Sequence, residues 1–233
     1  MKTRFSHRWP VLAALRRFWA DDKGLSIFSA LLLIAIFVLP PLLPPGSGRS
    51  LAGDALYALL LIAGVQALHE RGLVRMLLMP VAVVTVAVYV VSWVVPVDEP
   101  WVLAASLLSL LLLLGVVLGQ TFRMGPVTFH RIQGAVGAYL LLGVIWANAY
   151  ALVELLRPGA FSGPIRAADG PRGWFYFSFV TLTTVGFGDV LPVHPAARSL
   201  VILEAVTGPL YLAILLARLV SLAVATGRGG EPG

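Results

Sequence analysis

The chain has 233 residues, of which 59% are hydrophobic and 12% charged, with a mean hydropathy of +0.91. A soluble domain carries about 25% charged residues, so this composition predicts an integral membrane protein. Cysteine is absent, which excludes disulfides and thiolate metal sites. The net charge of +6 does not predict nucleic-acid binding, because Lys and Arg stand at the ends of apolar runs, where they report topology.

Six apolar segments meet or approach the length of about 20 residues that a membrane-spanning helix needs. They are residues 25–43, 51–68, 73–95, 101–119, 132–156 and 197–225. Six spans put both termini on one side, and most of the Lys and Arg residues fall there, which predicts cytoplasmic termini. The basic segment before the first span, residues 1–24, is either an interfacial helix or a tail that orients this span.

A further apolar stretch, residues 174–185, is too short to span the bilayer, and we interpret it as re-entrant. It runs into the sequence TVGFGD, residues 184–189, which we call the TVGFGD turn. A dinucleotide fingerprint would need a glycine where Leu191 stands, and the Gly-Lys-Ser/Thr of a phosphate loop is missing. Both nucleotide-binding interpretations of the turn therefore fail.

The TVGFGD turn has a different use as backbone inside a membrane. Non-helical backbone at that depth is tolerated only where it is buried in protein or lines a water-filled cavity. Gly186 and Gly188 adopt left-handed angles at little cost, and their alternation with Val185 and Phe187 can turn successive carbonyls the same way. Such a row of oxygens, repeated in several subunits, would replace the hydration shell of a cation.

The turn resembles the selectivity filter TVGYG of tetrameric potassium channels, with Phe187 in place of the tyrosine. The resemblance assigns the filter to residues Thr184, Val185, Gly186, Phe187 and Gly188. It implies that the first four of these present backbone carbonyls to K+ and that the Thr184 hydroxyl lines the inner entrance. It also implies filter support from the residues Trp174, Tyr176, Phe177, Thr183 and Asp189.

Two departures from the family pattern concern this support. Phe187 lacks a hydroxyl, so a hydrogen bond from that position to the pore-helix aromatic residues is lost, and we expect a less firmly braced filter. Val180 stands where some relatives carry a glutamate behind the filter. Asp189 therefore lacks that particular partner.

The last span, through Arg198, Glu204, Gly208 and the run LEAVTGPLYLAILLARLV, resembles the inner helix of bacterial two-helix pore domains. The resemblance covers residues 131–220. Gly208 and Pro209 weaken the helix, as a gating hinge or as a static kink. Glu204, an acid within an apolar helix, either supports the structure behind the filter or acts as a proton-sensitive gate.

The sequence thus predicts an all-α membrane protein with six transmembrane helices, a re-entrant pore helix and an extended filter, assembled as a homotetramer. Residues 1–24 form a basic cytoplasmic segment, 25–119 a four-helix bundle, 131–225 the pore domain and 226–233 a short cytoplasmic tail. The fourth span, residues 101–119, has no charge, so steep voltage gating through it is not expected. The sequence offers no soluble ligand-binding domain.

The predicted function is passive, selective conduction of K+ across the plasma membrane, expected to be a bacterial inner membrane. The predicted partners are three further copies of the chain and membrane lipid, without nucleic acid, and K+ ions in the filter take the place of a cofactor. An enzyme is not expected, because no nucleophile, base and orienting acid stand at usable spacing. The alternatives are a weakly selective cation channel and a non-conducting accessory or scaffold subunit.

Overall fold

A computed structural model describes residues 23–38, 42, 83–84, 87, 91, 99–122, 129–163 and 171–227 of the chain. Helices dominate this part, with one two-stranded ladder as the exception to the predicted all-α fold. In chain order the elements are α1 (Lys23–Leu33), a π-helical segment (Ile34–Val38), α2 (Glu99–Thr121), α3 (Phe129–Leu156), β1 (Phe161–Ser162), α4 (Pro171–Leu182), β2 (Leu191–Pro192) and α5 (Pro195–Gly227).

Three described helices are long and apolar enough to cross a membrane, namely Glu99–Thr121, Arg131–Leu156 and Pro195–Ser221. They coincide with the last three predicted spans, and the first predicted span is described over α1 and the π-helical segment. The predicted spans 51–68 and 73–95 lie outside the described residues, apart from four isolated positions, as do residues 1–22 and 228–233. The protein is therefore a mostly helical membrane protein, whereas the number of six spans stays a prediction.

Helix α3 forms the centre of the described structure, and 61% of its spanning window is buried. Phe28 and Leu32 of α1 are fully buried in the same cluster as Leu141 of α3. Leu110 and Val117 of α2 also belong to this cluster. Lipid tails are as apolar as these side chains, so close van der Waals packing, and not removal from water, holds α1 and α2 on α3.

Helix α4 approaches α3 closely where α3 carries Gly143. A Cβ atom at this position would lie 2.6–2.9 Å from the ring atoms of Phe179 in α4. Only a hydrogen atom fits between the helix backbone and this ring. The approach fixes the height of α4 on α3, and with it the place where the TVGFGD turn starts.

The C-terminal end of α3 is tied to the chain that follows the TVGFGD turn. The Glu154 carboxylate accepts the backbone amides of Gly159 and Phe161 at 2.8 and 3.1 Å. Strand β1 then pairs antiparallel with β2, with Phe161 opposite Pro192. These contacts hold the chain that follows the turn against the end of α3.

We predict that Gly143→Ala destabilises the protein by about 1–3 kcal/mol, the usual effect of overpacking, because its methyl group would overlap the Phe179 ring. Gly115→Ala in α2 is the matched control, since no described atom lies within 4 Å of its new Cβ. Thermal unfolding of the purified protein in detergent measures the difference. Equal melting temperatures for the two variants would contradict the close approach of α3 and α4.

Candidate functional site

The TVGFGD turn begins by folding back onto the end of α4. The amide of Thr184 donates to the Thr181 carbonyl at 2.9 Å. The amides of Val185 and Gly186 both donate to the Val180 carbonyl, at 3.0 and 3.2 Å. The carbonyls that end α4 therefore bind the amides of the turn, and the chain leaves the helix in a fixed direction.

Left-handed backbone angles alternate along the turn. Gly186 and Gly188 have φ values of 55° and 78°, as the sequence analysis expected for both glycines, and Thr184 has a φ of 61°. Thr184 is the one non-glycine residue with positive φ in the described part of the chain, and this conformation is uncommon for such residues. The alternation with Val185 and Phe187 is the backbone pattern that was predicted to turn successive carbonyls the same way.

The turn is exposed in the single chain. All side chains from residue 183 to 189 are exposed, and those of Val185 and Phe187 keep 54% and 68% of their surface. Among the described residues, no donor forms a hydrogen bond to the carbonyls of residues 184–187. Within the described part of the chain these oxygens are acceptors without a partner, as a cation-binding row of carbonyls must be.

Tyr176 of α4 braces the outer end of the turn. Its ring stacks on that of Phe187, with centroids 6.4 Å apart and an interplanar angle of 7°. Its hydroxyl donates to the Asp189 carboxylate at 2.7 Å, and the same carboxylate accepts the Val190 amide at 3.1 Å. Asp189 thus has a partner in Tyr176 even though Val180 replaces the glutamate of some relatives.

Tyr176 lies in a helix too short to span the membrane. Its protonation state suits its role as a brace of the turn. The hydrogen bond to Asp189 raises the pKa of the Tyr176 phenol above its ordinary value, with smaller contributions from desolvation and from the carboxylate charge. The phenol therefore remains a hydrogen-bond donor throughout the neutral pH range.

The other predicted support residues lie at different places. Trp174 packs against Phe161 of β1, with ring centroids 5.0 Å apart, and Phe177 packs on Tyr150 of α3 at 5.1 Å. Their role in filter support stays a prediction. The Thr183 hydroxyl donates to the Phe179 carbonyl of α4 at 2.6 Å.

Helix α5 lies directly behind the inner end of the turn. A Cβ atom at Gly208 would overlap the Leu182 carbonyl, which ends α4. The same carbonyl accepts the Tyr139 hydroxyl of α3 at 3.3 Å. Gly208 therefore has a packing role beside the predicted hinge, and α5 runs as one helix through Pro209.

Glu204 lies one helical turn before Gly208 and is fully buried. Its carboxyl accepts the hydroxyl of Tyr150 from α3, and it lies 2.5 Å from the Ser178 hydroxyl of α4. Glu204 thus contacts both α3 and α4, while both of its predicted roles, support behind the filter and gating, stay predictions.

Sequence reasoning missed several residues that hold the site. Val180 was of interest only for the side chain it lacks, whereas its carbonyl binds two amides of the turn. Tyr139, Tyr150 and Ser178 could not be identified from sequence, because their partners lie at least 26 residues away. The available signal was the presence of single polar side chains on otherwise apolar helices.

Among the described residues, no group of three or more His, Cys, Asp or Glu side chains could hold a metal ion.

Comparison with known proteins bears on this site. Residues 168–225 match the family model described as "Ion channel". The chain is 37% identical over 82 residues to the inward rectifier potassium channel Kirbac3.1 of Paramagnetospirillum magnetotacticum, covering 34% of this chain and 24% of that protein. It is 32% identical over 99 residues to potassium voltage-gated channel subfamily A member 10 of Mus musculus, covering 42% and 17% of the two chains. No solved structure matches the chain.

These matches confirm the resemblance to the potassium-channel superfamily for the C-terminal part of the chain. The matched part spans about a quarter or less of the length of these relatives. The relatives are channels by name.

We predict that Tyr176→Phe keeps the ring on Phe187 but frees the Asp189 carboxylate, because only the hydroxyl is lost. The Val190 amide donates a hydrogen bond to the Asp189 carboxylate, and its hydrogen exchange should become a few-fold faster. Tyr211→Phe is the matched control, because the Tyr211 hydroxyl donates to the Ala135 carbonyl of α3 and not to the turn. Unchanged exchange in Tyr176→Phe, or equal acceleration in both variants, would show that Tyr176 does not brace the turn.

Proposed function

We propose that this chain forms a potassium-selective ion channel, in which four copies place their TVGFGD turns around one axis. K+ crosses passively between the backbone carbonyls of Thr184, Val185, Gly186 and Phe187. The bound K+ ions are the only cofactor in this proposal. The membrane is the plasma membrane, of bacterial inner-membrane type, with both termini on the cytoplasmic side.

The conformation of the turn carries this proposal. Left-handed angles alternate along it at Thr184, Gly186 and Gly188, and no described donor occupies the carbonyls of residues 184–187. Unsatisfied carbonyls are expensive in a membrane, so the turn needs an external partner. Rings of backbone carbonyls replace the hydration shell of K+ in potassium channels, and a permeating cation is the partner that this arrangement suits.

Most of the surface of α5 is left uncovered within one copy, so further copies or lipid can cover it. Only 17% of its spanning window is buried, compared with 61% for α3. Its exposed apolar residues form an extensive surface, which includes Ile202, Leu203, Val206, Leu210, Leu212, Ile214 and Leu216. One copy supplies a single strand of carbonyls and cannot surround an ion. The number of four copies comes from the resemblance to the potassium-channel family.

Helix α2 bears on whether conduction is controlled by voltage. Helix α2, which contains the fourth predicted span, is uncharged from residue 101 to 119 and packs on α3. We therefore assign residues 25–119 to a peripheral bundle without gating charges and residues 131–225 to the pore domain. In this proposal the gate is not steeply voltage-dependent, and the Gly208–Pro209 pair is the candidate hinge.

Bi-ionic recordings in planar bilayers, with K+ on one side and Na+ on the other, test the proposed selectivity. A hundredfold preference corresponds to about 2.7 kcal/mol, so the reversal potential should shift toward the K+ limit by about 120 mV. Gly186→Ala should abolish the K+ current, because a side chain strains a residue with a φ of 55°.

Gly115→Ala adds the same methyl group to α2, where no described atom lies within 4 Å, and should leave the reversal potential unchanged. A reversal potential near zero would replace the proposal with a weakly selective cation channel. Absence of current from a pure multimeric preparation would favour the non-conducting accessory subunit.

A further inference from the structure

Glu204 of α5 joins three helices through one buried carboxyl group. The side chain has no exposed surface. The Tyr150 hydroxyl of α3 donates to its Oε2 atom. Its Oε1 atom lies 2.5 Å from the Ser178 hydroxyl oxygen of α4, and this oxygen also lies 2.8 Å from the Gly143 carbonyl of α3.

The count of protons in this cluster decides the state of the carboxyl group. Ser178 has one hydroxyl proton, but its oxygen faces both the Gly143 carbonyl and the Glu204 Oε1 atom. If Glu204 were a carboxylate, both neighbours would be acceptors, and one of the two contacts would place two oxygen atoms together without a proton between them. Such a contact is repulsive and leaves a buried acceptor unsatisfied.

A proton on Oε1 satisfies every contact in the cluster. Oε1–H then donates to the Ser178 oxygen, the Ser178 hydroxyl donates to the Gly143 carbonyl, and the Tyr150 hydroxyl donates to Oε2. Each proton has one acceptor. A fully connected buried network of this kind holds its members in a single arrangement.

Among the described residues, the groups that interact with Glu204 offer no positive charge to compensate a carboxylate. Its two hydrogen-bonding neighbours in the described structure, Tyr150 of α3 and Ser178 of α4, are hydroxyl groups. The other titratable group of α3 that interacts with it is the phenol of Tyr139. A buried carboxylate without a basic partner is strongly unfavourable, and this agrees with the proton count.

We propose that Glu204 is a neutral carboxylic acid whose proton links α5 to α4 and, through Ser178 and Tyr150, to α3. Ser178 stands two residues before Val180, whose carbonyl holds the amides of Val185 and Gly186. Glu204 is thus a positioning residue that keeps α4 in place behind the TVGFGD turn. The protonated state follows from the cluster alone, whereas its effect on conduction rests on the proposed function.

Substitution by glutamine tests the proton directly, because an amide reproduces a neutral acid. In Glu204→Gln the amide oxygen can accept from Tyr150 and the NH₂ group can donate to Ser178. We expect this variant to melt at the same temperature as the unmodified protein. Its K+ current should lie within about twofold of that of the unmodified protein. Glu204→Ala should lose the network, melt earlier and lose most of the current, since the buried Tyr150 hydroxyl is left without its acceptor and α5 is no longer linked to Ser178.

Infrared spectroscopy of the full-length protein in lipid provides a readout that does not depend on conduction. The unmodified protein at neutral pH should show the C=O band of a buried protonated carboxylic acid, and Glu204→Gln should lack this band. Glu99→Gln, at the exposed start of α2, is the matched control and should retain it. Raising the pH should remove the band and lower the melting temperature together, and Glu204→Gln should lack this pH dependence.

Absence of the band in the unmodified protein, or a Glu204→Gln variant as unstable as Glu204→Ala, would overturn the protonated link. If the band and the glutamine rescue of stability are found but no K+ selectivity is measured, the proposed function fails and the link stands. If selectivity is measured without the band, the link fails and the proposed function stands.

Discussion

The backbone carbonyls of the TVGFGD turn impose the constraint on which the account depends. Residues 184–187 follow a short apolar helix of a membrane protein, and within the described chain their carbonyls have no hydrogen-bond donor. Lipid cannot supply the missing donors, and exposed backbone in a membrane survives only against protein or water. The turn is therefore incomplete in one copy. Further copies and a permeating cation, as proposed, would complete it.

The rest of the described structure holds this turn in a conformation that it would not adopt alone. Helix α3 positions α4 through the close contact at Gly143, and α5 presses Gly208 against the carbonyl that ends α4. Glu204 connects the same three helices, and Tyr176 holds the outer end through Asp189. The left-handed angle of a non-glycine residue is strained, and this frame stabilises it.

Much of this site can be predicted from local sequence. The spans follow from the length of their apolar runs, and the conformations of Gly186 and Gly188 follow from the absence of a side chain. The angle at Thr184 could not be predicted, because threonine disfavours it and only the contacts of the turn with α4 impose it. The pairing of Tyr176 with Asp189 depends on the path of the chain through the turn, which residue types and spacing do not encode.

Native mass spectrometry of the protein released directly from lipid nanodiscs tests the central claim, that several copies complete the turn. The account predicts a single dominant species with four times the 24.9 kDa mass of one chain. This result would fit burial of the exposed apolar surface of α5 between copies. Monomers or dimers under conditions that preserve ion conduction would contradict it, because fewer than four turns could not form the proposed ring of carbonyls.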